Sequence, residues 1–314
     1  MRGFILRMKA VVFAYHNMGI VGLEALVRGR FDIQAIFSHL DDPGENIWFG
    51  SVAEWGKKNR ISVFCPENVN TPEWIETIRK ISPEVIFSFY YRNLLGRDIL
   101  MIPSVGSFNL HGSMLPAYRG RCPVNWVLVN GERRTGVTLH YIIEAPDAGE
   151  IVGQKEILIE FEDTAYTLYQ KLCVKANELL EEVLPLIKKG IAPRVAQNLK
   201  QGSYYGGRRP EHGKIDWDWP VMRIYNLVRA VTEPYPGAFT HLSQGEKLFI
   251  WWALPEEDSV SNRPVGTLEF EKDSVYVRAS DGRLRLLDIE VGKERMNGRK
   301  ILEFFKKQKG AVLK

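Results

Sequence analysis

Short apolar runs alternate with helix-forming segments through the first part of the chain, and this alternation constrains the fold more than any other feature. Strands are predicted at residues 9–15, 31–38, 61–65 and 84–90, and helices at 20–29, 49–59 and 72–80. Strands that alternate with helices favour a parallel sheet with right-handed crossovers, and such sheets bind ligands beyond the carboxyl ends of their strands. Further strands are predicted near 105–109 and 136–143, and a long helix at 165–189 that ends at Gly190.

The pattern changes after about residue 196. Residues 202–210 are rich in glycine and predict an irregular linker, and a short helix is expected at 220–231. Five short strands are predicted at 237–242, 247–253, 264–270, 274–279 and 283–289, followed by a helix at 298–307. Five short strands joined by turns favour a small OB-like barrel. The predicted fold is therefore α/β: a doubly wound, mostly parallel domain over 8–196, a linker over 197–212 and an OB-like β-barrel domain over 213–310.

The composition is that of a globular protein and indicates a small-molecule partner. Apolar residues make up 45% of the 314 residues, and the net charge is only +4. A nucleic-acid binder usually carries a concentrated basic stripe, and none is visible, so no nucleic-acid partner is predicted. The densest basic cluster, Lys306, Lys307 and Lys309, is interpreted as a solvated helix end.

The cysteines and the amino terminus predict a cytoplasmic protein. Cys65, Cys122 and Cys173 are far apart, with neither metal-ligand spacing nor a disulfide framework. No apolar run approaches the roughly 20 residues of a membrane span, so no membrane insertion is expected. The first residues are too short for a signal peptide, and residues 1–7 are expected to be an extension ahead of a start at Met8.

A glycine-containing turn follows the first strand but does not predict a dinucleotide site. The polar turn expected at residues 16–19 leads into Gly19-Ile20-Val21-Gly22, which opens the first helix. The three-glycine pattern that lets a pyrophosphate approach the backbone is missing. Nicotinamide binding is therefore not predicted.

The stretch from Phe108 to Arg121 carries the strongest chemical signal. It follows a predicted strand, where a parallel sheet places its active site. Asn109 and His111 are two residues apart, so on an extended backbone both face one side. Asp147 lies in a loop after another predicted strand, and its carboxylate is expected to reach His111. Taken singly, these residues are also typical of turns and structural hydrogen bonds. Their combination is as compatible with a catalytic trio as with a structural cluster.

The motif Asn109-x-His111-x-Ser113-x-Leu115-Pro116, followed by Arg119-Gly120 and later by Asp147-Ala148-Gly149, resembles the signature of the 10-formyltetrahydrofolate-dependent formyltransferases. The resemblance covers nearly the whole chain. Residues 11–19, 87–92, 123–131, 229–231 and 234–239 resemble the branch of that family that formylates UDP-4-amino-4-deoxy-L-arabinose in lipid A modification and polymyxin resistance. That branch is often fused to a decarboxylase domain, so a stand-alone transferase is expected here.

The resemblance implies specific roles. Asn109, His111 and Asp147 are the expected catalytic residues, and 10-formyltetrahydrofolate is the expected co-substrate, with no metal required. The expected folate contacts are Asn93, Leu94, Leu95, Arg121, Ile143, Glu144, Ala145, Pro146 and Asp147. His111 either donates a second hydrogen bond to the formyl oxygen or passes a proton to the folate nitrogen. Asp147 either orients His111 or takes the amine proton through a water.

The acceptor is less constrained than the chemistry. Substrate contacts are expected from Ser113, Arg119, Arg208, Arg209 and Tyr235, the last three because they offer phosphate donors and a flat surface for uracil. The alternatives are a methionyl-tRNA formyltransferase, which requires a basic surface, and a transferase for another nucleotide-linked 4-amino sugar. A non-catalytic folate-binding protein on the same scaffold is a further alternative, although it would be expected to lack one of the trio. A homo-oligomer is possible.

Overall fold

The computed structural model describes residues 7–42, 44–257, 263–307 and 312–314. Lys309, residues 1–6, and positions 258–262 and 308–310 of the predicted barrel domain lie outside the described residues. The chain divides into two compact units. The first comprises Met1–Pro123, Arg134–Leu158 and Tyr169–Tyr205, and the second Val124–Arg133, Ile159–Leu168 and Gly206–Lys314.

Up to residue 205 the chain alternates strands and helices. The elements are β1 (Lys9–Ala14), α1 (His16–Arg28), β2 (Asp32–Phe37), α2 (Val52–Asn59), β3 (Val63–Phe64), α3 (Pro72–Ile81), β4 (Val85–Phe89), α4 (Arg97–Leu100), β5 (Gly106–His111), β6 (Arg119–Gly120), α5 (Pro123–Val129), β7 (Arg134–Tyr141), β8 (Ile151–Leu158), α6 (Ala165–Lys188) and β9 (Tyr204–Tyr205).

The first unit is built on a seven-stranded sheet with the order β3-β2-β1-β4-β5-β7-β8. Strands β1 to β5 pair in parallel, whereas β7 runs antiparallel to β5 and β8 antiparallel to β7. Every residue of β4 is buried, as is typical of a parallel strand covered on both faces. The predicted α/β, mostly parallel fold is confirmed, although β8 and α5 were not among the predicted elements.

The expected turn at residues 16–19 is wrong, because helix α1 already begins at His16. The Gly19 N–H donates to the Tyr15 carbonyl, and the Met18 N–H donates to the Tyr169 hydroxyl at 2.8 Å. A side chain from a distant helix thus satisfies an amide that a helix start leaves without an intrahelical partner. The sequence near residue 16 contains no sign of that partner.

The second unit contains an antiparallel sheet. Its elements are α7 (Val221–Val231), β10 (Ala238–His241), β11 (Lys247–Glu257), β12 (Leu268–Glu271), β13 (Ser274–Arg278), β14 (Gly282–Val291), β15 (Glu294–Asn297) and α8 (Arg299–Lys306). The strand order is β10-β11-β14-β13-β12, and β15 pairs with β14. Strand β15 was not among the predicted strands.

The last residues connect the two edges of this sheet. His241 and Lys314 exchange N–H···O=C hydrogen bonds of 3.0 Å at the end of β10. The Leu313 N–H donates to the Gly266 carbonyl at 3.0 Å, and Thr267, which precedes β12, bridges to Val312. The edge strands are therefore covered, as expected for a small barrel.

The compact units do not coincide with continuous stretches of sequence. The Arg229 guanidinium, buried on α7, donates to the Glu160 carbonyl at 3.0 Å and to Asn226 Oδ1 at 2.9 Å. The Asn125 side chain donates to the Ala230 carbonyl at 2.7 Å. Such contacts place 124–133 and 159–168 in the second unit, while the domain limits 8–196 and 213–310 stay a prediction. Among the described helices, none is long and apolar enough to cross a membrane.

Candidate active site

Strand β5 positions the first two site residues. It lies between β4 and β7, where the sheet changes from parallel to antiparallel pairing. Asn109 sits opposite Ser88 of β4 and His140 of β7, and His111 is the last residue of β5. Asn109 and His111 are two positions apart on an extended strand and present their side chains to the same neighbour, as the sequence predicts.

That neighbour is Asp147, in the loop between β7 and β8. Its Oδ1 accepts a hydrogen bond from Asn109 Nδ2 at 3.3 Å and lies 3.5 Å from both His111 Nδ1 and His140 Nε2. Its Oδ2 accepts the Gly120 N–H at 2.8 Å. The structure therefore brings the predicted trio together and adds His140 to it; we call Asn109, His111, His140 and Asp147 the β5 cluster.

The electrostatics of the β5 cluster favour an ionised Asp147. Burial is the largest single influence and raises the pKa of the carboxyl, but His111, His140 and the Gly120 N–H together outweigh it. These contacts hold the pKa of the Asp147 carboxyl well below its ordinary value. The carboxylate is thus a permanent negative charge beside two imidazoles at neutral pH.

Each histidine ring is oriented by a main-chain carbonyl. His111 Nε2 lies 2.8 Å from the Tyr118 carbonyl oxygen, and His140 Nδ1 lies 2.8 Å from the Tyr141 carbonyl oxygen. A carbonyl only accepts, so each of these nitrogens carries a hydrogen and the other ring nitrogen faces Asp147. His140 Nε2 also lies 3.1 Å from Asn109 Nδ2, so a neutral ring accepts from Asn109 and a protonated ring donates to Asp147.

His140 was not predicted as a site residue. It is almost completely buried on β7, where a histidine is usually a structural residue. The signal that identifies it is its position directly across from Asn109. That signal depends on knowing that β7 pairs antiparallel with β5, and on the register of the pair.

The loop after β5 is fixed by Ser113. Its side chain is 0% exposed, and its hydroxyl donates to the Ala117 carbonyl at 2.6 Å. The Thr138 hydroxyl donates to the Ser113 carbonyl at 2.7 Å. The buried Ser113 hydroxyl therefore shapes the loop, and its predicted contact with the substrate stays a prediction.

Arg119, the neighbouring predicted substrate contact, remains available for a ligand. It is half-buried on β6, and its main-chain N–H donates to the Ser203 carbonyl at 3.0 Å. Among the described residues, no group hydrogen-bonds its buried Nε.

The two segments predicted to contact folate lie next to each other. Arg97 and Glu144 form an ion pair at 3.6 Å that joins the segment after β4 to the loop after β7. Leu94 is 66% exposed and Ile143 48% exposed, so both segments present apolar side chains. Leu95 is 8% exposed and its side chain packs in the core of the first unit, so a contact from Leu95 to folate stays a prediction. The other predicted contacts are at least partly exposed, namely Asn93, Arg121, Ala145 and Pro146.

The predicted nucleotide contacts lie in the second unit. The Arg208 guanidinium is 4.6 Å from the centre of the Trp126 ring, and its Nη2 donates to the His212 carbonyl at 2.9 Å. Arg209 is exposed, and Tyr235 is half-buried. Arg208 is thus held over a flat aromatic surface, a geometry common in arginines that bind planar or anionic groups.

Two family models match the chain. The model described as formyl transferase matches residues 37–184, and the model described as formyl transferase, C-terminal domain, matches residues 208–306. Together they account for more than three quarters of the chain. The first match contains the whole β5 cluster.

Solved structures of similar fold include an N-formyltransferase from Helicobacter canadensis in complex with folinic acid and dTDP-3-aminofucose. It is 21% identical with a TM-score of 0.70, and the match covers 89% of this chain and 98% of that one. WlaRD, a sugar 3N-formyl transferase solved with dTDP and 5-N-formyl-THF, is 19% identical with a TM-score of 0.68, covering 89% and 97%.

HypX from Aquifex aeolicus in complex with tetrahydrofolic acid is 17% identical with a TM-score of 0.62, covering 96% of this chain and 48% of that one. At these identities the likeness is one of fold, whereas the two family models match the sequence itself. The chain therefore belongs to the formyl transferase family, carries both of that family's domains, and is a formyltransferase.

Proposed function

We propose that this enzyme transfers a formyl group from 10-formyltetrahydrofolate to the 4-amino group of UDP-4-amino-4-deoxy-L-arabinose, a step of lipid A modification and polymyxin resistance. The observation that carries the proposal is the convergence of Asn109, His111 and Asp147 at the end of β5 in a formyltransferase chain. The co-substrate is supported by similar proteins solved with folinic acid or 5-N-formyl-THF, and an amino-sugar acceptor by the one solved with dTDP-3-aminofucose. The specific sugar rests on the branch-like stretches such as 123–131.

Asn109 is placed to stabilise the transition state. When the acceptor amine attacks the formyl carbon, negative charge develops on the formyl oxygen, and a preorganised donor to that oxygen contributes roughly 3–4 kcal/mol. Both hydrogens of the Asn109 amide point into the cluster, toward Asp147 at 3.3 Å and His140 at 3.1 Å. We propose that the formyl oxygen replaces the longer of these two contacts.

His111 and Asp147 act as a pair. A protonated His111 donates from Nδ1 toward Asp147 and from Nε2 to the Tyr118 carbonyl, so the ring is held in one orientation. A carboxylate whose pKa is depressed is a weak base, which favours an electrostatic role for Asp147 over direct removal of the amine proton. In this mechanism the Nδ1 proton of His111 passes to the folate nitrogen as the bond from that nitrogen to the formyl carbon breaks. The attacking amine releases one proton through water, which restores the protonated ring, and Asp147 stabilises the charged ring before and after the transfer.

The segments at Leu94 and Ile143 fit a folate. A pterin requires apolar walls and nearby polar groups. The exposed Leu94 and Ile143 supply the walls, and the Arg97–Glu144 ion pair lies between the two segments. The folate supplies the formyl group; the chain binds and orients it.

Arg208 and Arg209 are the proposed phosphate contacts, with Arg119 as a contact for the sugar. An Arg208→Ala variant is expected to raise the KM for the sugar nucleotide with kcat little changed, because binding to the diphosphate is the same in ground and transition states. A normal KM in that variant would remove Arg208 from the site.

The test is a formyl-transfer assay that follows release of tetrahydrofolate. The purified chain is given 10-formyltetrahydrofolate with one of three acceptors: UDP-4-amino-4-deoxy-L-arabinose, a dTDP-linked 4-amino-4,6-dideoxy sugar, or charged initiator tRNA. Turnover with the first alone is the expected result. Turnover with the second alone would keep the chemistry and replace the sugar, and turnover with tRNA alone would overturn the amino-sugar assignment.

A further inference from the structure

A strand-like segment near the end of the first unit lies along the catalytic loop. The main chains of Val195 and Ile151 exchange two hydrogen bonds, of 2.8 and 3.0 Å, at the first residue of β8. Beside them, Arg194 Nη1 pairs with the Glu150 carboxylate at 2.7 Å. These contacts dock residues 194–195 immediately after the loop that carries Asp147.

Two residues further on, Gln197 reaches that loop with its side chain. Its Nε2 donates to the Asp147 carbonyl oxygen at 3.0 Å and to the Gly149 carbonyl oxygen at 2.6 Å. Carbonyl oxygens only accept, so the amide nitrogen must face them and both of its hydrogens are used. A carboxylate or an apolar side chain of the same size lacks these donors.

The loop needs this support because its backbone is unusual. Asp147 has φ of +51°, a left-handed conformation that disfavours side chains other than glycine and persists where neighbouring contacts enforce it. At Gly149 the backbone passes so close to Tyr141 that an added Cβ would lie 1.8 Å from the Tyr141 carbonyl oxygen. Gln197 binds the carbonyl groups at both ends of this short, tightly packed stretch.

We propose that Gln197 is a positioning residue for formyl transfer. It fixes the main chain of residues 147–149 so that the Asp147 carboxylate meets His111, Asn109 and the Gly120 N–H at once. This role rests on the proposed function, because it acts through Asp147. Gln197 lies between the two segments that match the formyl transferase family, 37–184 and 208–306, and its contribution arises from the docking of residues 194–197 along β8.

The test compares Gln197→Glu and Gln197→Met with Gln201→Glu in the full chain. The Glu variant keeps the shape but turns a carboxylate toward two carbonyl oxygens, and the Met variant removes the donors without adding charge. Gln201 is exposed on the same stretch of chain, so Gln201→Glu adds the same charge without touching the loop. In both Gln197 variants kcat is expected to fall about 10- to 100-fold through misplacement of Asp147, with KM values and 5-formyltetrahydrofolate affinity changed less than about threefold.

A second readout separates positioning from general destabilisation. In Gln197→Met, the acid limb of the kcat profile is expected to move to higher pH. The loop is no longer fixed by Gln197, so the Asp147 carboxylate moves away from His111 and the Gly120 N–H, which keep it ionised. Unchanged kcat and pH profile in both Gln197 variants, or an equal loss in Gln201→Glu, would overturn the proposal. Asp147→Asn is measured alongside. If Asp147→Asn is inactive while the Gln197 variants are fully active, only the positioning role of Gln197 fails. If Asp147→Asn is fully active, the assignment of Asp147 to catalysis fails as well.

Discussion

Asp147→Asn keeps the shape of the side chain and removes its charge. The wild-type carboxylate accepts the Gly120 N–H on one oxygen and faces Asn109 and His111 with the other. An asparagine has a single side-chain oxygen, so its amide hydrogens must face either the Gly120 N–H or the donors of Asn109 and His111. At least one buried hydrogen bond is therefore lost in either orientation, which costs about 1–3 kcal/mol of unfolding free energy.

The effect on catalysis is expected to be larger than the effect on folding. Without the carboxylate the charged form of His111 loses its partner, and kcat is expected to fall about 100- to 1000-fold, the range seen when one preorganised electrostatic contact is removed. Tetrahydrofolate release gives kcat, and urea unfolding gives stability. Because the folded pKa of Asp147 is depressed, its stabilising contribution is fully present above about pH 4 and is lost as pH falls through the lower folded value. The stability difference between wild type and variant should shrink accordingly in acid.

Asp32→Asn is the matched control. Asp32 begins β2, on the far side of β1 and β4 from β5, and lies outside the β5 cluster. The same substitution there should leave kcat within about twofold. If Asp147→Asn binds folate fully and its kcat also stays within about twofold of wild type, the assignment of the carboxylate to catalysis is refuted.

Three further outcomes are expected. Asn109→Ala should lower kcat about 100- to 1000-fold with folate binding retained in calorimetry; unchanged turnover would remove its amide from the mechanism. Gly22→Ala should lower the free energy of unfolding, measured in urea, by about 1–3 kcal/mol, because the added Cβ would lie 2.2 Å from the fully buried Phe89 ring. Gly206→Ala is the control: no described atom lies within 4 Å of its added Cβ, so its free energy of unfolding should stay within about 0.5 kcal/mol of wild type. Burial lowers the pKa of His16 to about 3, so His16 should lower the free energy of unfolding by about 1.4 kcal/mol for each pH unit from about pH 6.5 down to about pH 3. An unchanged pH dependence of the unfolding free energy in His16→Gln would contradict this.

The sheet of the first unit could be predicted because its signals are local. Strands β1 and β4 are short apolar runs that a parallel sheet buries on both faces, and helical segments separate them. Asn109 and His111 were predictable for the same reason, since a spacing of two on a strand fixes their common side. Gly22 serves close packing of α1 against Phe89.

The remaining site residues depend on pairings between distant segments. His140 faces Asn109 only because β7 runs antiparallel to β5 in a particular register. The Leu95 side chain packs in the core, because whether one position of a loop is exposed or buried depends on how the next helix packs. Gln197 reaches the loop only through the docking of its segment on β8. Nothing near these residues in sequence encodes such contacts.

The reversal of direction at β7 explains why the aspartate needs this support. Strand β7 leaves the sheet at Tyr141, which lies opposite Phe108, whereas the carboxylate must reach His111 at the other end of β5. The chain therefore turns back through a loop, and Asp147 sits in a left-handed conformation there instead of on a strand. A side chain presented by a loop is only as well placed as the loop itself. Substitutions in the support, Gln197 foremost, should consequently act mainly on kcat, whereas substitutions of the buried apolar residues of β5, Phe108 and Leu110, should act mainly on the free energy of unfolding.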